Sequence, residues 1–142
     1  MSADENREVV RQVLDALDRS DWAALERHPG LYETRRHYPL SKAAVPDSRT
    51  TIETQVIQDD MIASVLTVSG THSGPFFDVP PTGRHVRYTV LMVDRIQNGV
   101  IVQHWALPDL LSIFGQVGKP LLPQGAASGD ASGGAPGELP RA

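Results

Sequence analysis

An α+β fold is predicted by three features of the chain. Val10, Val13, Leu14 and Leu17 stand at i, i+3, i+4 and i+7, the apolar stripe of an amphipathic helix. From Thr50 the pattern changes to the two-residue period of strands. Asn98-Gly99 lies between two such runs and signals a type I′ hairpin, whose two turn residues need positive φ. Helices packed on one face of a strongly curved antiparallel sheet satisfy all three.

The elements come in the following order along the chain. Ser2 or Asp4 can cap the first helix, and Ser20 or Asp21 a second short one carrying Trp22 and Leu25. His28-Pro29-Gly30 ends it, because Pro29 disfavours helix at His28 and Gly30 permits a turn. Residues 31–49 are expected to be irregular, with one helical turn around Ser41 to Ala44. They carry Tyr32, His37 and Tyr38, and either fold over a pocket mouth or form a surface loop. "TTIETQVI" alternates, with Ile52, Thr54 and Val56 on one face. Asp59-Asp60 makes a turn, and the run from Met61 to His72 is apolar on both faces, so both faces should be covered. Pro80-Pro81-Thr82-Gly83 reverses the chain.

In the long strand from His85, Val86, Tyr88, Val90, Met92 and Asp94 share one face, with Arg87, Thr89, Leu91, Val93 and Arg95 on the other. In the returning strand Val100, Val102, His104 and Ala106 oppose Ile101, Gln103, Trp105 and Leu107. Pro108-Asp109 opens a last helix, which Gly118 closes and Pro120 prevents from continuing. Residues 1–118 read as one domain. Residues 119–142 are rich in Gly, Pro, Ala and Ser, and disorder is expected from about Gln124, because such a segment buries too little to offset its ordering entropy.

Composition narrows the function classes. The 142 residues are 40% hydrophobic, enough for a core, and carry a net charge of −4 with no basic block, a poor match to nucleic acid or an anionic membrane. The absence of cysteine removes disulfides and thiolate chemistry. The opening residues are acidic and polar, unlike a signal peptide, and no apolar run approaches a membrane span, so a cytoplasmic protein is expected. Five histidines lack metal-ligand spacing, and no glycine loop cradles phosphate; neither metal nor cofactor is expected.

The chemistry-bearing residues cluster in "VQHWALPD". Asp109 precedes an apolar helix, which makes it an N-cap by local physics. A carboxylate at the rim of an apolar cavity can also exchange protons with a carbon acid. His104 is either a hydrogen-bonded strand-end histidine or a base working with Asp109. Trp105 reads as a wall, and cannot share a cavity with His104 unless a bulge intervenes. His72, in "GTHSG", is either turn chemistry or a binding group; no nucleophile elbow is present.

"GTHSGPFFDVPPTGRHVRY" together with "VDRIQNGVIVQHWALPDLLSIFGQVG" resembles the SnoaL-like polyketide cyclases, or ester cyclases, of the nuclear transport factor 2-like superfamily. The resemblance runs from about residue 46 to 118. It implies a cone-shaped half-barrel holding a small apolar or aromatic molecule, and a homodimer or larger homo-oligomer. It also implies a cofactor-independent acid/base enzyme, most simply a cyclase closing a ketone or ester substrate by an aldol step. Asp109 and His104 are then the catalytic candidates, with Trp105, Tyr88, His37, Tyr32, Phe114 and His72 as substrate-binding candidates. A non-catalytic binding protein and a hydrolase or dehydratase use the same scaffold, so the choice rests with the site.

Overall fold

The computed structural model describes residues 1–121; the stretch expected to be disordered from Gln124 lies outside the described residues. Helix α1 spans Ala3–Asp18. Ser2, rather than Asp4, caps it: its hydroxyl accepts the Glu5 N–H, and its own N–H donates to the Glu5 carboxylate. The stripe Val10, Val13, Leu14 and Leu17 is buried. Asp21 accepts the Ala24 N–H, but the chain there makes only a single 3₁₀ turn, Ala23–Leu25, and then another, Pro29–Leu31.

The connection expected to be irregular is instead helix α2, Tyr32–Ala44. Its sequence hides it for two reasons. Pro39 sits mid-helix, where it removes one hydrogen bond, and only Lys42 and Ala44 are buried, so no apolar stripe marks it. Tertiary contacts hold it. Leu31, fully buried, anchors its start; Trp22 meets Tyr38 edge-on at 6.0 Å; the N–H groups of Ser73 and Gly74 donate to the Ala44 carbonyl at its end.

Four strands, β1 (Arg49–Gln58), β2 (Met61–Thr71), β3 (His85–Gln97) and β4 (Val100–Pro108), form one antiparallel sheet in sequence order. A bulge in β1 between Ile52 and Thr54 changes the expected facing. Ile52 and Ile57 pack on the core, and Val56 is 68% exposed, because one extra residue moves every later side chain to the opposite face. The β3–β4 hairpin turns at Asn98 and Gly99, both with positive φ.

The inner face of the sheet packs on α1 through Ile62, Leu66, Met92, Ile96 and Ile101, which join Leu25 and Leu31 in the main core. A second apolar cluster gathers Ala44, Val45, Val79, Val86, Phe114 and Val117 beneath helix α3, Leu110–Gln116. The curved sheet, α1 and α2 leave an opening between these clusters. No helix among the described residues is long and apolar enough to cross a membrane.

Candidate functional site: a histidine and a buried carboxylate at an apolar cavity

The opening is a cavity of about 230 Å³. Leu14 and Leu17 of α1, Leu66 and Val68 of β2, and Val90 and Met92 of β3 give it apolar walls. Its polar groups are Thr34, His37, Tyr38 and Ser41 from α2, Thr50 from β1, Tyr88 from β3 and His104 from β4. Mostly apolar lining with a small number of placed polar groups is the usual make-up of a small-molecule site.

His104 reaches this wall through a change of register. Beyond the turn, Gln97 opposes Val100 and Ile96 opposes Ile101; Arg95 then opposes Gln103, so Val102 is an extra residue. The bulge lets Ile101 and His104 both face inward, where unbroken alternation would separate them. It also sets His104 opposite Asp94, and the two side chains meet at 2.6 Å, Nδ1 to Oδ1. The carboxylate is 0% exposed and the histidine side chain 7%.

Residues far away in the chain hold the bulge. The Ile101 N–H donates to His28 Nδ1 at 3.0 Å. The Pro29–Leu31 turn lies against the bulged backbone so closely that a Cβ at Gly30 would come within 2.7 Å of the Gln103 nitrogen. Glycine is required there by close approach.

The geometry defines the chemistry available. A carboxylate at Nδ1 keeps the ring proton on that nitrogen and orients the imidazole, leaving Nε2 to accept a proton. The other oxygen of Asp94, Oδ2, is buried without a hydrogen-bond partner among the described residues. Such a group is costly in a fold, and costly polar groups concentrate at working sites. Burial holds the Tyr88 phenol above its ordinary pKa, with the Asp18 carboxylate adding to the effect. Burial also raises Tyr38, helped by Tyr88 and Asp18. Both therefore remain neutral hydroxyl groups that can donate to a bound oxygen.

The candidates named from sequence fall in different places. His104, Tyr88 and His37 line the cavity, His37 from a largely exposed position where it contacts Glu33 at 3.0 Å. His72 lines a smaller chamber next to it. Asp109 is exposed and accepts the Ser112 N–H at 3.1 Å as the cap of α3. Trp105 points to the outer face of β4 and is 49% exposed, because alternation next to inward His104 sends it outward. Tyr32, at the start of α2, is exposed under the Arg36 guanidinium. Phe114 is buried in the second cluster against Phe76 and Phe77. None of these last four lines the cavity.

Sequence reasoning misses Asp94 as a partner of His104. The available signal is its place on the inward face of β3 with Tyr88, and the two-residue turn that sets the hairpin register. That register alone would put Asp94 opposite Gln103.

Among the described residues no cluster of His, Cys, Asp or Glu could hold a metal ion.

Comparison with known proteins agrees with this architecture. A family model described as SnoaL-like polyketide cyclase matches residues 8–117. Among solved structures, AclR of Streptomyces galilaeus, a proposed hydroxylase, is 23% identical, with 89% of each chain covered and a TM-score of 0.77. TsrD of Streptomyces laurentii is 23% identical over 84% of this chain and 98% of its own, with a TM-score of 0.75. IdmH of Streptomyces antibioticus, a proposed polyketide cyclase, is 25% identical over 80% of this chain and 98% of its own, with a TM-score of 0.68. No curated protein matches the chain. The half-barrel of four antiparallel strands, the helices over its inner face and the match along most of its length have one consequence: the chain belongs to the SnoaL-like polyketide cyclase family, with a nuclear transport factor 2-like fold.

Proposed function

We propose that the protein is a cofactor-independent acid/base enzyme that closes a ring in an apolar ketone by an intramolecular aldol step. The observation that carries this reading is the Asp94–His104 pair, bonded at 2.6 Å, with His104 on the wall of a cavity whose walls are mainly apolar. His104 Nε2 takes a proton from the carbon next to a carbonyl. The enolate so formed attacks a second carbonyl of the same molecule, and the new alkoxide takes a proton back from His104. The charge on Asp94 stabilises the imidazolium while it exists. Tyr88 or Tyr38 donates to the enolate oxygen, and the apolar walls strengthen both interactions by excluding water. Asp109, for which the family resemblance suggests the base, serves here as the cap of α3.

A homodimer in the cytoplasm completes the proposal. Leu91, Trp105 and Leu107 leave apolar surface on the outer face of the sheet, the face that the helices do not cover. With no cysteine, the chain needs no oxidising compartment to fold.

The test uses 1-(2-acetylphenyl)propan-2-one, a diketone that one aldol closure and loss of water convert to a naphthol. Wild-type protein should accelerate naphthol formation over buffer, and His104→Gln should lose that acceleration by roughly 10²–10⁴-fold while retaining affinity. Binding without acceleration in the wild type would instead support a non-catalytic carrier of apolar molecules, a reading that the apolar walls from Leu14, Leu17, Leu66, Val68, Val90 and Met92 also suit.

A further inference from the structure

Behind the main cavity lies a second chamber of about 40 Å³. Ser41, Tyr88 and Pro108 line both spaces, so the two adjoin. The rest of the chamber is apolar, built from Ala44, Val45, Phe76, Val86 and the inner side of α3, with one exception: His72. This histidine is 1% exposed, and its Nε2 is buried with no hydrogen-bond partner among the described residues.

The hydrogen bonds around the ring say what that orphan atom is. The Thr82 N–H donates to His72 Nδ1 at 3.3 Å. The Thr82 hydroxyl accepts the Arg84 N–H at 3.2 Å, which leaves its own proton for Nδ1 at 2.9 Å. Nδ1 is therefore an acceptor, and the ring proton sits on Nε2. A buried N–H without a partner costs about 1–3 kcal/mol. A water needs ~10–15 Å³ of such space, so the chamber has room for a ligand group.

We propose that the chamber is a binding subsite for a hydrogen-bond-accepting oxygen at one end of the ligand, with His72 Nε2–H as its donor. The proposal rests on the reading of the main cavity as a small-molecule site and specifies its ligand. The ligand is an elongated apolar ketone. One carbonyl or similar acceptor oxygen enters the rear chamber and bonds His72, the flat body spans the Tyr88–Pro108 neck, and the other end lies against His104. Val86 lines the chamber and Met92 the main cavity beside His104; between them β3 runs ~20 Å if extended. A molecule that meets both histidines must therefore run along β3 through the shared neck. His72 is in this account a specificity residue: it takes no part in proton transfer, and it selects ligands oxygenated at the far end.

The test compares 2-acetylnaphthalene with 2-isopropenylnaphthalene, which differ only in a carbonyl oxygen against a methylene. Wild-type protein should bind the ketone about tenfold more tightly, since the hydrocarbon leaves Nε2–H unpartnered. His72→Asn keeps an acceptor for Thr82 but does not reach the chamber, and its preference should fall to about unity. His72→Gln keeps a donor in the chamber and should retain the preference. The wild type offers a check free of substitution: the His72 Nε2–H resonance should move downfield with the ketone and not with the hydrocarbon. Equal affinities in the wild type, binding of neither compound, or a ring proton that responds alike to both overturns the proposal. Because these are binding measurements, they are separate from the acid/base reading: a protein with the ketone preference but no aldol activity keeps the subsite and loses the mechanism.

Discussion

Asp94 and Asp109 sit on adjoining parts of the molecule and lead different lives. Asp94, inside the β3–β4 ribbon, is 0% exposed and gives one oxygen to His104 while the other has no partner among the described residues. Asp109, at the β4–α3 corner, is exposed, and its carboxylate holds the Ser112 N–H. The corner satisfies a local need, the orphan amide of a helix start, with a group that water also solvates. The ribbon buries a carboxyl group whose one hydrogen-bond partner among the described residues is a histidine. A carboxylate becomes chemically useful through what surrounds it and through the absence of water, more than through its proximity to a familiar motif.

Substitutions at the two sites should break the comparison if it is wrong. The largest effect is expected from Asp94→Asn, which keeps size but removes the charge and can hold the imidazole in the wrong tautomer. Turnover in the naphthol assay should fall by about 10²–10⁴-fold, against less than about tenfold for Asp109→Asn. A reversal of that order would move the catalytic role to the corner.

Next comes Gly30→Ala. Its Cβ would press on the Gln103 nitrogen, so the bulge must give way. Overpacking of this kind costs about 1–3 kcal/mol, to be read from urea unfolding. Activity should drop with it, because His104 loses its place opposite Asp94. Wild-type activity in a stable Gly30→Ala protein would show that the bulge is not needed.

Asp109→Ala should cost about 1 kcal/mol by loss of the cap, and Asp109→Asn much less, since Asn also caps well. Sedimentation at micromolar concentration should give a dimer that Leu107→Glu dissociates, by placing charge on the exposed apolar outer face. A wild-type monomer would remove the dimer from the proposal.

The smallest effect is a pH dependence at His28. Burial lowers its pKa below 6.5, with Arg27 adding and Asp94 opposing. The unfolded chain then binds more protons, so stability is fully present above pH 6.5 and is lost as pH falls toward the folded-state pKa. His28→Asn can still accept the Ile101 N–H and does not titrate. Its stability should be flatter over that window, and a slope equal to that of the wild type would assign the dependence elsewhere.

Much of this architecture was readable residue by residue. The α1 stripe, the strand sequence, the Asn98-Gly99 turn and the caps at Ser2 and Asp109 all depend on neighbours within a few positions, where periodicity and turn chemistry act directly. So did the family, through "GTHSG" and "QHWALPD". Helix α2 was not readable, because its order comes from Trp22, Leu31 and the loop at Ser73-Gly74 rather than from its own pattern. The faces of β1 were not readable either, since one extra residue near Glu53 inverts them.

The site divides along the same line. Sequence alone determined that an aspartate and a histidine lie on the two strands of one hairpin, Asp94 on the face that carries Tyr88. Which residue meets which was decided by the bulge at Val102, and that bulge is held by His28 and Gly30, more than seventy residues earlier in the chain (His28 to Ile101 is a separation of 73). A strand alternates with period two by covalent geometry, but where it slips by one is a packing decision. The Asp94–His104 contact follows from that slip, and the Pro29–Leu31 turn packs on β4 where it occurs.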